Sequence, residues 1–585
     1  MEISSAAVTR ARTHTRTVPA RSVRTAPPRR HVRERIRTLP ALSGFGPRAW
    51  ALAALVVASL LWIPILVVGA HVLTPAGETW SHLVDTVLFR YIGNSALLVA
   101  GTVALAFTIG VGAAWLVTAT EFRGRRIVES MLILPLAVPA YVAAYTYAGM
   151  LDVTGPMQRI VRALVPALSD SVLHIPVAGP KAAMLIFALV LYPYVYVIAR
   201  ASFRRQSRTV LEASRVLGRS AWSTFLRVAL PLARPAVVAG LVLVALEVLN
   251  DYGTVRFLGV TTFTTGIFRA WSGMGDLDAA VRLAGMLLLF VLAVLLIERV
   301  QRGRRRTDAG IETDMPMRRW ELRGARGAAA FLFCALPILF GFLVPVAQLA
   351  YWAVRTASRV VNAQFVQLVI NSFSLAIGAA LLGVGLALVV AYATRVVNGR
   401  AVKAAARVAV LGYSVPGAVI AIGVLAPLSA LDRGLGFMSA SVFGISTGVL
   451  LGGTVAALVY AYAVRFMAVA YLPIEAGFDR ECRDLDAASR TLGVGTTGTL
   501  RRVGLPLLRA ALLGAAILVF VDVLKELPAT LILRPFNFDT LATKAFQLAS
   551  DEQIAESACA ALILIGAGVL PVIGLDRLLG GRSTR

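Results

Sequence analysis

From residue 50 to the end, long apolar runs alternate with short polar stretches rich in arginine. A helix needs about 20 largely apolar residues to cross a hydrocarbon core of roughly 30 Å, and the runs approach that length repeatedly. They predict six membrane spans at 50–73, 92–119, 127–150, 182–198, 236–249 and 279–297. Six more are predicted at 327–354, 370–394, 402–425, 448–464, 510–524 and 555–573. The fifth is short.

The direction of the spans follows from where the cations lie. Arginine clusters after the second span at Arg123, Arg125 and Arg126, after the fourth from Arg200 to Arg234, and after the sixth from Arg299 to Arg306. Cationic loops stay on the cytoplasmic side, so every second loop and both termini are expected to be cytoplasmic. Arg256, Arg269 and Arg282 weaken the contrast locally.

Composition sharpens this picture. Of 585 residues 58% are hydrophobic and 15% charged, and the mean hydropathy is +0.76, outside the soluble range. The net charge of +27 would suggest nucleic acid in a soluble domain, but here the cations flank membrane spans and meet anionic lipid. Eleven arginines between Arg10 and Arg48, with Pro27 and Pro28 and little apolar clustering, predict a disordered cytoplasmic arm. Cys334 and Cys559 lie in apolar runs and Cys482 in a basic loop, without metal or disulfide spacing. Glu129 and Arg407, early in spans three and nine, are read as snorkelling to the interface, with no function assigned.

The second half of the chain echoes the first at an offset of 275 to 278 residues. Asn94-Ser95 recurs as Asn371-Ser372, Gly124-Arg125 as Gly399-Arg400, Val138-Pro139 as Val415-Pro416, and Leu230-Pro231 as Leu505-Pro506. Six spans per copy make the repeats parallel, with a pore between them. The fold class is therefore all-α integral membrane, built as two tandem six-span units. The expected boundaries are the arm at 1–48, a first unit at 49–300 with a basic loop at 205–231, a linker at 301–326, and a second unit at 327–585 with a loop at 480–506.

Those two loops carry the strongest local pattern. One reads EASRVLGRSAWSTFLRVALP from Glu212 to Pro231, the other AASRTLGVGTTGTLRRVGLP from Ala487 to Pro506. Each has a short amphipathic segment with small residues (Ala213 and Ser214; Ala488), a glycine that ends it (Gly218; Gly493), and Leu-Pro (Leu230-Pro231; Leu505-Pro506) returning the chain to the next span. In the second copy Ala487 replaces the acid, which moves one place earlier to Asp486. The spacing resembles the coupling loop of binding-protein-dependent ABC transporter permeases. The resemblance implies that both loops dock an ABC ATPase subunit, expected as a dimer, and that an extracytoplasmic binding protein delivers the solute. It places the chain in the cytoplasmic membrane of a bacterium. ATP and magnesium would be on the partner, with no cofactor on this chain. No G-x-x-x-x-G-K-S/T segment occurs, since the nearest, from Gly493 to Thr499, lacks the lysine. The few histidines and cysteines form no catalytic or ligand pair, so an enzyme is excluded. A self-sufficient secondary transporter has no need of two ATPase loops.

After the fifth and eleventh spans the chain reads EVLNDYGTVRFLG from Glu247 and DVLKELPATLILRPFNFDTLATKAFQLASDE from Asp522. The second stretch resembles ferric-iron importer permeases and, less exclusively, those of the thiamine group, so either substrate or another small solute stays open. Glu247 and Asp522 are repeat-equivalent acids expected about twelve residues inside their spans, where ionisable groups face a cavity or a partner. With Asn250, Asp251, Lys525 and Glu526 they form a candidate path of hard oxygen ligands suited to ferric iron. The competing reading is polar pairs that pack helices, for instance with Lys525 or Arg256. No metal site is firmly assigned.

Overall fold

The structure is a computed structural model, and the description covers residues 46–73, 77–152, 155–157, 177–206, 208–302, 319–443, 450–480 and 483–580. The expected arm, apart from its last residues, and most of the expected linker lie outside the described residues, as does Cys482. Among the described residues, ten helices of the first unit are matched in order by ten of the second. The first set is α1 (Pro47–His71), α2 (Glu78–Ala119), α3 (Arg125–Met131), α4 (Ala140–Leu151), α5 (Gly179–Arg204), α6 (Arg208–Val216), α7 (Ala221–Asn250), α8 (Gly253–Phe257), α9 (Phe263–Phe268); α10 (Leu277–Arg302) closes the unit as its last span. The second is α11 (Ala325–Val360), α12 (Ala363–Val396), α13 (Arg400–Val410), α14 (Gly417–Phe443), α15 (Val455–Arg480), α16 (Arg483–Thr491), α17 (Thr496–Lys525), α18 (Pro528–Leu533), α19 (Leu541–Ser550) and α20 (Ile554–Gly580). Among the described residues eleven helices are long and apolar enough to cross a membrane, or twelve with the bent α3–α4 pair taken as one span. The chain is an all-α tandem membrane protein.

Five expected spans take a different form. The third is bent by 93° between α3 and α4. Pro139 lacks an N–H and its ring displaces the carbonyl four residues back, so the helix tightens into a 3₁₀ turn at Leu134–Ala137 and restarts. The ninth, expected at 402–425, breaks likewise at Val415-Pro416, leaving α13 as a short amphipathic helix and α14 as the span. The repeated Val-Pro therefore marks a repeated break. The tenth lies nearer the second loop than expected, at Val455–Arg480. The fifth and eleventh begin well before their expected starts, because the helices of α7 and α17 run straight through Leu230-Pro231 and Leu505-Pro506. A π-helical turn precedes each Leu-Pro pair, at Phe225–Ala229 and Leu500–Gly504, and its altered bonding accommodates the missing proline N–H. Leu-Pro thus lies inside the span rather than returning the chain to it.

The units interlock through their first spans. α1 packs on α12, α13 and α14 of the second unit, where Trp62 Nε1 donates to the Val408 carbonyl at 2.7 Å and Trp50 meets the Tyr392 ring edge-on at 5.0 Å. Conversely, α11 packs on α2, α3 and α4 of the first. Just before α11, Trp320–Glu321 pairs in parallel with Thr120–Glu121, the only strand pair among the described residues. The repeated Asn-Ser also acquires a role. Asn94 donates to the Thr261 carbonyl at 2.8 Å and Asn371 toward that of Asp539 at 3.4 Å, while Ser95 and Ser372 accept from the first backbone N–H of α9 and α19. Both latter helices start with a threonine capping box, Thr262 with Thr265 and Thr540 with Thr543.

Candidate functional site

Two span ends and two proline breaks converge where the units meet. Because α7 begins at Ala221, Glu247 stands near its far end rather than twelve residues in, and Asp522 holds the same place in α17. α7 ends at Asn250 and α17 at Lys525; the residue after each caps the short helix that follows. Asp251 accepts from the backbone N–H of Thr254 at 2.8 Å and Val255 at 3.3 Å, and from the Thr254 hydroxyl at 2.9 Å. Glu526 accepts from the Ala529 N–H at 3.0 Å. These bonds satisfy donors that a helix start leaves orphaned.

A broken span also strands backbone groups, which is tolerated at membrane depth only where protein or a cavity receives them. The units solve this for each other. Asn250 Oδ1 accepts from the N–H of Gly417, the first residue of α14, at 2.7 Å. Lys525 Nζ donates to the Leu136 carbonyl, beside the α3–α4 break, at 3.2 Å. Repeat-equivalent residues thus cap the opposite unit's break. Gly417 has to lack a side chain, since a Cβ there would run into the Arg465 guanidinium and the Glu526 carboxylate.

Arg465, on α15, joins the two sides. It donates to Asn250 Oδ1 of the first unit at 2.8 Å and pairs with Glu526 of the second at 3.3 Å. It is buried, and Val190 occupies the equivalent place in the first unit. The sequence reading missed it, because a span ending at 464 makes Arg465 look like a loop residue; an arginine inside a run that continues to 480 was the available signal.

Between these groups lies a cavity of about 220 Å³, lined among others by Tyr141, Tyr194, Glu247, Tyr413, Arg465 and Asp522. Asn250, Asp251, Lys525 and Glu526 line it too. All six candidate path residues are therefore brought together. Glu247 stands beside the Tyr194 and Tyr413 hydroxyls. Asp522 has no ion pair within 4 Å among the described residues; the charge that acts on it most is Lys525, three residues on. Arg256, the other pairing considered for these acids, stands beside Tyr252 instead. Four carboxylates face two cations, so the cavity carries a net negative formal charge. Among the described residues no three acids, histidines or cysteines come together closely enough to hold a metal ion.

The second feature is the pair of basic loops. α6 and α16 end alike: Gly218 and Gly493 adopt φ of +78° and +79°, and the next N–H bonds back to the Ser214 or Ser489 carbonyl at 3.2 and 3.1 Å. This is a Schellman-type termination, open to glycine at no conformational cost. Each loop is closed by one hydroxyl pair, Ser214 with Thr224 at 3.2 Å and Ser489 with Thr499 at 2.9 Å. Glu212, Ala213, Ala487 and Ala488 are exposed, and Leu217 and Leu492 are 82% and 83% exposed beside them. Asp486 differs. It turns inward to Arg395 Nε at 2.6 Å, so the displaced acid of the second copy ties α16 to α12 rather than presenting a surface charge.

Glu129 does not snorkel. It is buried and paired with Arg125 at 2.5 Å, with Arg204, and with Arg200 at 3.6 Å. Arg407 is exposed and lies in a groove considered below.

The family described as "Binding-protein-dependent transport system inner membrane component" matches residues 106–307 and 379–585, one match in each unit. The chain is 25% identical over 527 residues, 88% of its length and 96% of the relative's, to the "Fe(3+)-transport system permease protein FbpB 2" of Haemophilus influenzae. It is 26% identical over 200 residues, 34% of its length and 69% of the relative's, to the "Sulfate transport system permease protein CysT" of Escherichia coli.

Proposed function

Since the chain belongs to the family of binding-protein-dependent transport system inner membrane components, an ABC permease family, we propose that it is the fused two-copy permease of a bacterial ferric-iron importer. The observation that carries the substrate class is the charge of the central cavity. Four carboxylates against two cations attract a cation and repel an oxyanion such as sulfate. The match to an iron-transport permease along nearly the whole chain supports the same choice. Thiamine, an organic cation, is the second reading, favoured by the tyrosines around Glu247, whose ring faces suit such a cation.

In this reading the exposed helices α6 and α16 dock two copies of an ATPase subunit, which binds ATP and magnesium. A binding protein engages the opposite, extracytoplasmic face, and both termini are cytoplasmic. Proteoliposomes holding the chain, its ATPase and its binding protein test the proposal. ATP-dependent accumulation of radioactive ferric iron is expected, with no uptake of sulfate. Sulfate uptake without iron uptake would refute the substrate assignment.

The loops yield a test of coupling. A Cβ at Gly218 or Gly493 meets no neighbour within 4 Å, so the first constraint on a substitution is backbone conformation. A β-branched residue in the left-handed region costs about 1–2 kcal/mol, whereas asparagine tolerates it. Gly218→Val/Gly493→Val should abolish most substrate-stimulated ATP hydrolysis with insertion intact, while Gly218→Asn/Gly493→Asn should retain it. Equal activity of the two double variants would remove the loop-end geometry from coupling.

Orientation has its own test. Phe536, fully exposed after α18, and Leu217, at the end of α6, should lie on opposite faces. In intact cells an impermeant maleimide should label Phe536→Cys and spare Leu217→Cys. The opposite pattern would invert the topology.

A further inference from the structure

The two units differ most where α5 and α15 approach the loops. In the first unit the acid Glu129 sits on α3 against Arg200 and Arg204 of α5. In the second the signs are exchanged. Arg407, with Lys403, stands on α13, and Glu475 and Asp479 hold the places of Arg200 and Arg204 on α15. The neighbouring tyrosines correspond as well: Tyr196 bonds Arg200 at 3.3 Å and Tyr471 bonds Glu475 at 2.9 Å.

The outcome of the exchange is different too. In the first unit the charges are paired, with Glu129 and Arg200 buried, and strand Trp320–Glu321 lies across their end, with Trp320 against Trp115 at 5.7 Å. In the second, none of Lys403, Arg407, Glu475 and Asp479 makes an ion pair within 4 Å among the described residues. A groove of about 560 Å³ separates the two walls. Lys403 reaches only Asn398 Oδ1, at 2.6 Å, and Arg395 is held by Asp486. Thus one wall is cationic and the other acidic. The mouth is apolar, with Leu411 and Leu472 46% and 53% exposed. α12 ends at Val396 and α15 at Arg480, so the charged part of the groove stands where the spans leave the hydrocarbon, at headgroup level.

We propose that this groove binds one membrane phospholipid whose headgroup carries both a phosphate and a primary ammonium. The phosphate meets Arg407 and Lys403, the ammonium meets Glu475 and Asp479, and the start of the acyl chains passes Leu411 and Leu472. A zwitterion of this kind supplies each wall with the counter-charge it lacks, as direct pairing does in the first unit, and charge-assisted hydrogen bonds strengthen both ends. A purely anionic headgroup satisfies one wall and is repelled by the other. A quaternary ammonium has no N–H to donate to the carboxylates. The inference requires only that the chain spans a membrane, and so stands apart from the importer reading.

The test is lipid retention by the full chain. After partial delipidation and exchange with equimolar phosphatidylethanolamine, phosphatidylglycerol and phosphatidylcholine, native mass spectrometry should find phosphatidylethanolamine retained at least severalfold over the others. Glu475→Gln/Asp479→Asn should reduce that preference toward parity with phosphatidylglycerol, and Arg407→Gln should weaken retention of both phosphate lipids with a free hydroxyl or amine. Equal retention of all three lipids by the unaltered chain, or an unchanged preference in the variants, overturns the proposal. So does efficient disulfide formation in Arg407→Cys/Glu475→Cys within phosphatidylethanolamine bilayers, which would mean that the walls close on each other. Release of the lipid by millimolar glycerophosphoethanolamine would move the ligand from the bilayer to the cytosol and overturn it equally.

Discussion

Glu247→Gln/Asp522→Asn is expected to lower uptake of a cationic substrate by about a hundredfold at limiting concentration, and each single change by about tenfold. A unit charge about 5 Å from a cation contributes roughly 3 kcal/mol at an effective dielectric of 20, and partial screening brings that near the 1.4 kcal/mol that equals a factor of ten. Both substitutions keep shape and hydrogen-bonding capacity, so Glu247→Gln leaves a polar group beside Tyr194 and Tyr413. Initial rates of iron uptake in proteoliposomes, normalised to inserted protein, provide the measurement. The two acids are expected to differ in stability. Lys525 keeps the Leu136 carbonyl but loses its nearest carboxylate in Asp522→Asn, so a modest fall in melting temperature is expected there and none at Glu247→Gln. If Asp522→Asn melted early yet transported normally per folded molecule, Asp522 would be a counter-ion for Lys525 and no part of the path.

Arg465→Met should have the largest effect on stability. Glu526 is 5% exposed, and without the guanidinium its remaining hydrogen bond comes from the Ala529 N–H. Breaking a buried pair from one side costs about 3–5 kcal/mol, because the stranded charge has no solvent. Asn250 would simultaneously lose the bond that ties it to the second unit's α15, leaving Gly417 as its cross-unit contact. The expected result is a large drop in yield and melting temperature in detergent. Arg465→Met/Glu526→Gln should recover much of it, since neither group then remains charged and alone. A single variant as stable as the parent would show that Arg465 does not hold the units together.

Much of this protein was legible from its residues taken one after another. Apolar runs of membrane length specify spans because hydrocarbon thickness leaves few alternatives. The offset repeats specify two parallel units, and the two matched loops were legible because a short helix ended by a glycine is a local structure. Glu247 and Asp522 stood out because an acid in an apolar run is costly wherever it lies.

What the chain order did not reveal depended on contacts between distant segments. A hydropathy window averages across Val138-Pro139 and Val415-Pro416, so breaks that remain apolar on both sides looked like continuous spans. Leu230-Pro231 and Leu505-Pro506 looked like helix starts because proline usually is one, and only the π-helical turns before them let the helices continue. Arg465 was hidden by a span boundary drawn sixteen residues before its true end at Arg480. The exchange of first spans, and the reciprocal caps from Asn250 to Gly417 and Lys525 to Leu136, join residues far apart in sequence. No local pattern encodes which unit receives a cap. The tertiary structure decided it, because a broken helix inside a membrane has to find its missing hydrogen bonds in whatever packs against it, and here that is the other unit.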